Sequence, residues 1–118
     1  MKTVVLGASP NPERFSYKAI VSLTDHHHEV VAIGKRKGNV AGIEIIQETP
    51  LFTDVHTIAM YLSPENQKEY YDYILSLNPK RIIFNPGTEN NELYKLAEEK
   101  GIEVVEWCVL VMLSVNRF

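Results

Sequence analysis

The sequence predicts an α/β domain of the Rossmann-like type: three layers built on a five-stranded, mainly parallel sheet in the order 3-2-1-4-5. Three observations predict it. Short apolar runs alternate with helical patterns along the whole chain, the signature of parallel strands joined by crossover helices. The first run, Met1-Lys2-Thr3-Val4-Val5-Leu6, ends in Gly7-Ala8-Ser9-Pro10-Asn11-Pro12, a turn of small residues that leads into a helix start. Right-handed crossovers then restrict the strand order and set the first strand beside the fourth at the switch point.

The bulk numbers agree with one domain spanning residues 1–118. The chain is 45% hydrophobic and 23% charged, the balance of an ordinary globular protein. A net charge of −3 creates no field that recruits nucleic acid or an acidic membrane. Cys108 is the only cysteine, so no intrachain disulfide forms. The longest apolar run, Val109 to Leu113, is far too short to span a bilayer. The chain opens on a strand without a basic-then-apolar leader, and a cytoplasmic location is expected.

The first helix is expected over Ser16 to Asp25, with Tyr17, Ile20, Val21 and Thr24 along one face. His26-His27-His28 follows. Three histidines invite a metal reading, but consecutive turn residues point apart, and a helix-stopping turn is the expectation. Glu29 to Ile33 is the second strand, and it enters Gly34-Lys35-Arg36-Lys37-Gly38, three cations between two glycines. In an open α/β sheet, ligands bind at that end of the strands. Asn39 to Pro50 reads as loop, with a short extended piece at Ile43-Glu44-Ile45-Ile46.

Asp54 to Leu62 is the third main strand. Ser63-Pro64 then starts a helix, with serine as N-cap and proline at the first helical position. Tyr70, Tyr73, Ile74 and Leu77 give its buried face, and Asn78-Pro79 ends it. Arg81 to Phe84 is the fourth strand, followed by the turn Asn85-Pro86-Gly87-Thr88. Asn90 or Asn91 caps the next helix, whose core face is Leu93, Leu96 and Ala97 and whose stop is Gly101. Ile102 to Glu106 is the fifth strand, and Trp107 to Leu113 opens a final short helix.

The first turn and the helix after it make an anion site. Gly7 permits close approach to the backbone, and unpaired amides and the positive end of the helix dipole point to one place. The full dinucleotide fingerprint is absent, because Ser9 and Pro12 replace its second and third glycines. Enzymes that use NAD place an acid after the second strand. Gly34-Lys35-Arg36 stands there instead and suits a ribose phosphate, carried by NADP on the 2′ position and by coenzyme A on the 3′ position. A charge-assisted contact to such a phosphate contributes roughly 1.5–3 kcal/mol. Spacing alone does not choose between the two.

The stretch Gly7 to Tyr17 resembles the opening of the small stand-alone CoA-binding proteins, which are similar to the CoA-binding domain of the succinyl-CoA synthetase α subunit. A second match runs from Asn85 to Leu93 and continues through Gly101 to Glu106. The resemblance covers essentially the whole chain and implies a Rossmann-like fold that binds CoA or acyl-CoA. By position it implies that Gly7, Ala8 and Ser9 hold the pyrophosphate and that Arg14 and Tyr17 flank it. It further implies that Lys35, Arg36 and the Gly34 turn face the 3′-phosphate, and that Asn85, Pro86 and Gly87 line the pantetheine. The family usually shows Asn-Pro-Lys where this chain has Gly34-Lys35-Arg36. It often has glycine where this chain has His27, which predicts left-handed backbone there.

Little in the sequence supports catalysis. The synthetase relatives use a phosphorylated histidine on a second domain, which has no counterpart in these residues. Cys108 reads as a buried structural cysteine beside Trp107, His56 as a sheet-surface residue, and no metal-ligand spacing appears. The expectation is a non-catalytic CoA or acyl-CoA sensor or carrier. The alternative is an NADP-type or other nucleotide-binding module acting with a partner protein. A weaker third reading has Cys108 acting on a thioester. A protein partner or a homodimer stays open.

Overall fold

The fold is laid out around β1 (Lys2–Leu6), the strand with a parallel neighbour on each side along its whole length. In chain order there follow α1 (Phe15–Asp25), β2 (Glu29–Ile33), β3 (Asn39–Val40), β4 (Ile43–Ile46), β5 (Val55–Met60) and α2 (Pro64–Gln67). A single 3-10 turn, Lys68–Tyr70, leads to α3 (Tyr71–Leu77). Then come β6 (Arg81–Phe84), α4 (Asn91–Glu99), β7 (Glu103–Glu106) and α5 (Val109–Ser114). The computed structural model describes residues 2–118.

The sheet has seven strands in the order β3-β4-β2-β1-β5-β6-β7. All pairings are parallel except β3 with β4. The Rossmann-like, mainly parallel architecture is present, but the five-stranded order 3-2-1-4-5 is corrected. The extended piece Ile43–Ile46 is a true strand, pairing through Ala32↔Ile45 and Ile33↔Ile46. It fills the outer flank of β2. The strand from Val55 therefore lies against the free side of β1 and separates β1 from β6. The β3–β4 hairpin turns through Ala41 and Gly42, with φ of 51° and 84°. Two positive φ values suit the twist of a tight hairpin, but alanine at the first of them gives no turn signal in the sequence.

Alternation along the strands sends side chains to two cores. Val4, Leu6, Ile58, Met60, Ile82 and Phe84 meet Ile74 and Leu77 of α3 and Leu93 and Ala97 of α4. Val5, Ala59 and Ile83 meet Ala19, Ile20 and Leu23 of α1 and Val109, Met112 and Leu113 of α5. The stripe α1 buries is Ser16, Ala19, Ile20 and Leu23, one position off the predicted face. Ser16 and Ala19 are small enough for the helix to lie close to the sheet, and Tyr17, Val21 and Thr24 stay half-buried at its edge.

Local stops follow the sequence. His27 takes φ 65°, as the resemblance implied, and Asn78 ends α3 at φ 48°. Gly101 closes α4 at φ 74°, while the Ile102 amide donates to Ala97 O and the Gly101 amide to Glu98 O, a Schellman arrangement. The three histidines diverge: His26 Nδ1 meets Ser22 O at 2.7 Å, and His28 packs on the Phe118 ring. Among the described residues no helix is long and apolar enough to cross a membrane.

Candidate functional site

The chain leaves the carboxyl ends of β1, β2, β5 and β6 around one cavity of about 650 Å3. Its position follows from backbone crossings that only glycine permits. Gly7 sits at φ 96°, and a β-carbon there would come within 3.0 Å of the Tyr61 carbonyl carbon and 3.1 Å of the Leu62 amide nitrogen. A β-carbon on Gly34 would lie 2.2 Å from Ala8 O. The exits of β1 and β2 are thus packed backbone on backbone, and the basic loop is held against the first turn.

The amides of this turn differ from the expectation. Gly7 N and Ala8 N both donate to Ile33 O at 2.9 Å, so the sheet already uses them. They do not point free at a ligand, because the turn bends back onto the end of β2 instead of opening outward. The amides of Ser9, Phe15 and Ser16 make no hydrogen bond within the described chain. Phe15 and Ser16 open α1, where no intrahelical acceptor is available and the dipole is positive. The loop between is locked by its own side chains. Ser9 Oγ accepts from the Asn11 amide at 3.1 Å, and Asn11 Oδ1 accepts from the Glu13 amide at 3.0 Å.

Three exposed cations border the cavity. Lys35 Nζ lies 3.0 Å from Glu69 Oε1, and this partner holds its pKa above the ordinary lysine value. Arg14 and Arg36 line the cavity with no carboxylate partner among the described residues. Arg14 is also the residue preceding α1, with extended backbone at ψ 144°.

Asn85 and Thr88 line the far wall, and the buried Gln67 braces it without reaching the cavity. Asn85 is buried; its Nδ2 donates to Met60 O and its Oδ1 accepts from the Val109 amide, both at 2.9 Å. It fastens the exit of β6 to β5 and to the start of α5. Gln67 is fully buried, and its Nε2 donates to Leu62 O and Thr88 O at 2.9 and 2.8 Å. Its Oε1 accepts from Asn90 Nδ2 at 3.0 Å. Tyr61 and Cys108 complete this wall. The Tyr61 hydroxyl is buried without a hydrogen-bond partner, and burial, more than the nearby Cys108, pushes its pKa far up, so it stays protonated.

The cavity brings together Gly7, Ala8, Ser9, Arg14, Gly34, Lys35, Arg36, Asn85 and Pro86. Tyr17 and Gly87 do not line it. Tyr17 packs beside the α1–α5 core, and Gly87 shapes its turn at φ 91° with its amide donating to Glu89 Oε1. Cys108 is half-buried and lines the cavity, which corrects its reading as a buried structural cysteine. Tyr61, Leu62 and Tyr70 were not foreseen. They reach the cavity because β5, not β6, neighbours β1, so the missed strand order is also the missed wall. Gln67 gave no signal, since a polar residue on a helix reads as solvated.

Residues 1–114 match the family model described as a CoA binding domain. Among solved structures, the crystal structure of an uncharacterised protein is 50% identical, with a TM-score of 0.97 over 99% of this chain and 97% of that one. A hypothetical protein from Pyrococcus horikoshii OT3 is 24% identical, with a TM-score of 0.82 over 96% of this chain and 81% of that one. A Thermus thermophilus protein is 22% identical, with a TM-score of 0.87 over 99% and 90%. The last two share the fold. No curated protein matches the sequence. With all but its last few residues inside the family match and its strand exits gathered round one cavity, the chain belongs to the CoA binding domain family.

Proposed function

We propose that the protein binds CoA or acyl-CoA without transforming it, as a sensor or carrier. The observation that carries this reading is the convergence on one cavity of the α1 amino end, the Gly34–Arg36 loop and the Asn85-Pro86 turn. In this reading the diphosphate sits on the free amides of Ser9, Phe15 and Ser16, with Arg14 beside it. Lys35 and Arg36 meet the 3′-phosphate of the adenosine. The pantetheine runs along Tyr61, Leu62 and Pro86 toward Cys108, a mixed wall suited to an arm of amides and methylenes.

Calorimetric titration of the purified protein with CoA, dephospho-CoA and NADPH tests this. CoA is expected to bind tenfold or more tighter than dephospho-CoA, since a charge-assisted phosphate contact contributes roughly 1.5–3 kcal/mol. Equal affinities would remove the 3′-phosphate contact, and no binding of either would overturn the assignment. Tighter binding of NADPH would move it to the other phosphorylated nucleotide.

A further inference from the structure

The ion pair between Lys35 and Glu69 is set across the site. Among the described residues the other two ion pairs hold Lys2 to Glu29 and Asp54, at the opposite end of β1. Lys35 follows β2, and Glu69 lies in the 3-10 turn downstream of β5. β1 stands between those two strands in the sheet. The pair therefore joins the two flanks over the carboxyl end of β1, next to Ser9 and the amino end of α1. Lys35 and Tyr70, the neighbour of Glu69, both line the cavity.

Both side chains are more than half exposed, at 67% and 56%. An exposed pair of this kind is weak and exchanges partners readily. A phosphomonoester carries about −1.5 to −2 charge near pH 7, against −1 for a carboxylate, and offers three acceptor oxygens. Lys35 thus has reason to leave Glu69 for such a group.

Resting on the CoA reading above, we propose that Glu69 is an internal competitor for the ligand's phosphomonoester. Its carboxylate holds, in the free protein, the place on Lys35 that the phosphate takes on binding, and so it sets how strongly phosphorylated ligands are preferred. A ligand without that phosphate leaves the pair intact and gains nothing from Lys35.

The test is the ratio of dissociation constants, dephospho-CoA over CoA, in the wild type, Glu69→Gln, Lys35→Gln and the double variant. Glu69→Gln is expected to raise the ratio about 1.5-fold to fivefold, the range for removing a competing exposed charge contact. Glu69→Ala should do the same, which separates lost charge from any effect of the new amide. Lys35→Gln should lower the ratio, and adding Glu69→Gln to it should produce no further rise. A ratio unchanged in both Glu69 variants, or a rise that persists without Lys35, overturns the competitor role while leaving CoA binding standing. A wild-type ratio of one, with both ligands bound, removes the phosphate contact and this proposal with it, whereas no binding of either ligand overturns the CoA reading itself.

Discussion

Gly34 carries the most severe steric constraint among the glycines. A methyl group there meets Ala8 O at 2.2 Å, a contact between two backbones that no rotamer relieves. Gly34→Ala is expected to destabilise the protein by about 2–4 kcal/mol, read as a lower urea midpoint. Gly87→Ala meets no atom within 4 Å but keeps φ at 91°, so a smaller loss of about 1 kcal/mol is expected. The sequence marks both as turn glycines and does not rank them, because the obstacle at Gly34 comes from a distant strand exit. The histidines add a pH dependence. Burial, reinforced by neighbouring positive charge that includes Arg81, lowers the pKa of His28 and of His56 below the ordinary 6.5. The folded state therefore disfavours their protonated forms. Stability is full above pH 6.5 and falls as the pH drops through the lowered folded values. NMR titration should place both imidazoles below 6.5, and denaturation midpoints should decline on the acid side of that value.

Helix α4 shows what one side chain does for an element. Asn90 Oδ1 accepts from the Glu92 and Leu93 amides at 3.1 and 3.2 Å, while its Nδ2 donates to Gln67 Oε1 and to the Tyr71 hydroxyl. Asn90→Ala loses the cap and also strips Gln67 Oε1 of its partner inside the protein. A loss of about 2–3 kcal/mol is expected, read as a lower thermal midpoint, against about 1 kcal/mol for an isolated cap. Asn90→Asp keeps the acceptor and should lose less of the helix, but it has no donor for Gln67 Oε1 and loses that contact. The cap itself was legible, since asparagine before an amphipathic run is a known start signal. The bond to Gln67 was not, because it depends on the end of α2 meeting the start of α4. The β3–β4 hairpin was read only in part: Ile43–Ile46 is expected as an extended piece, but the two residues of β3 carry too little pattern to separate from loop.

At the scale of the molecule, the alternation of strands and helices was enough to give the parallel sheet and to place both outgoing turns on one cavity. The neighbour of β1 was not legible, because it hinged on whether Ile43–Ile46 formed a strand. That one element decides which loop faces the first turn, and with it the Tyr61–Leu62 wall. Ligand binding should be visible globally. At a hundredfold excess over its dissociation constant, CoA is expected to stabilise the fold by about 2.7 kcal/mol, measured as a concentration-dependent rise in melting temperature. Hydrogen exchange should show new protection at Ser9, Phe15 and Ser16. Gly7 and Ala8, already bonded to Ile33 O, should exchange slowly with or without CoA.

The pair of hydrogen bonds from Gly7 and Ala8 to a single carbonyl has a kinetic corollary. The first turn is set before any ligand arrives, so little ordering entropy remains to be lost there on docking. Association should run at a rate governed by encounter and steered by the nearby cations, with a simple exponential approach to equilibrium.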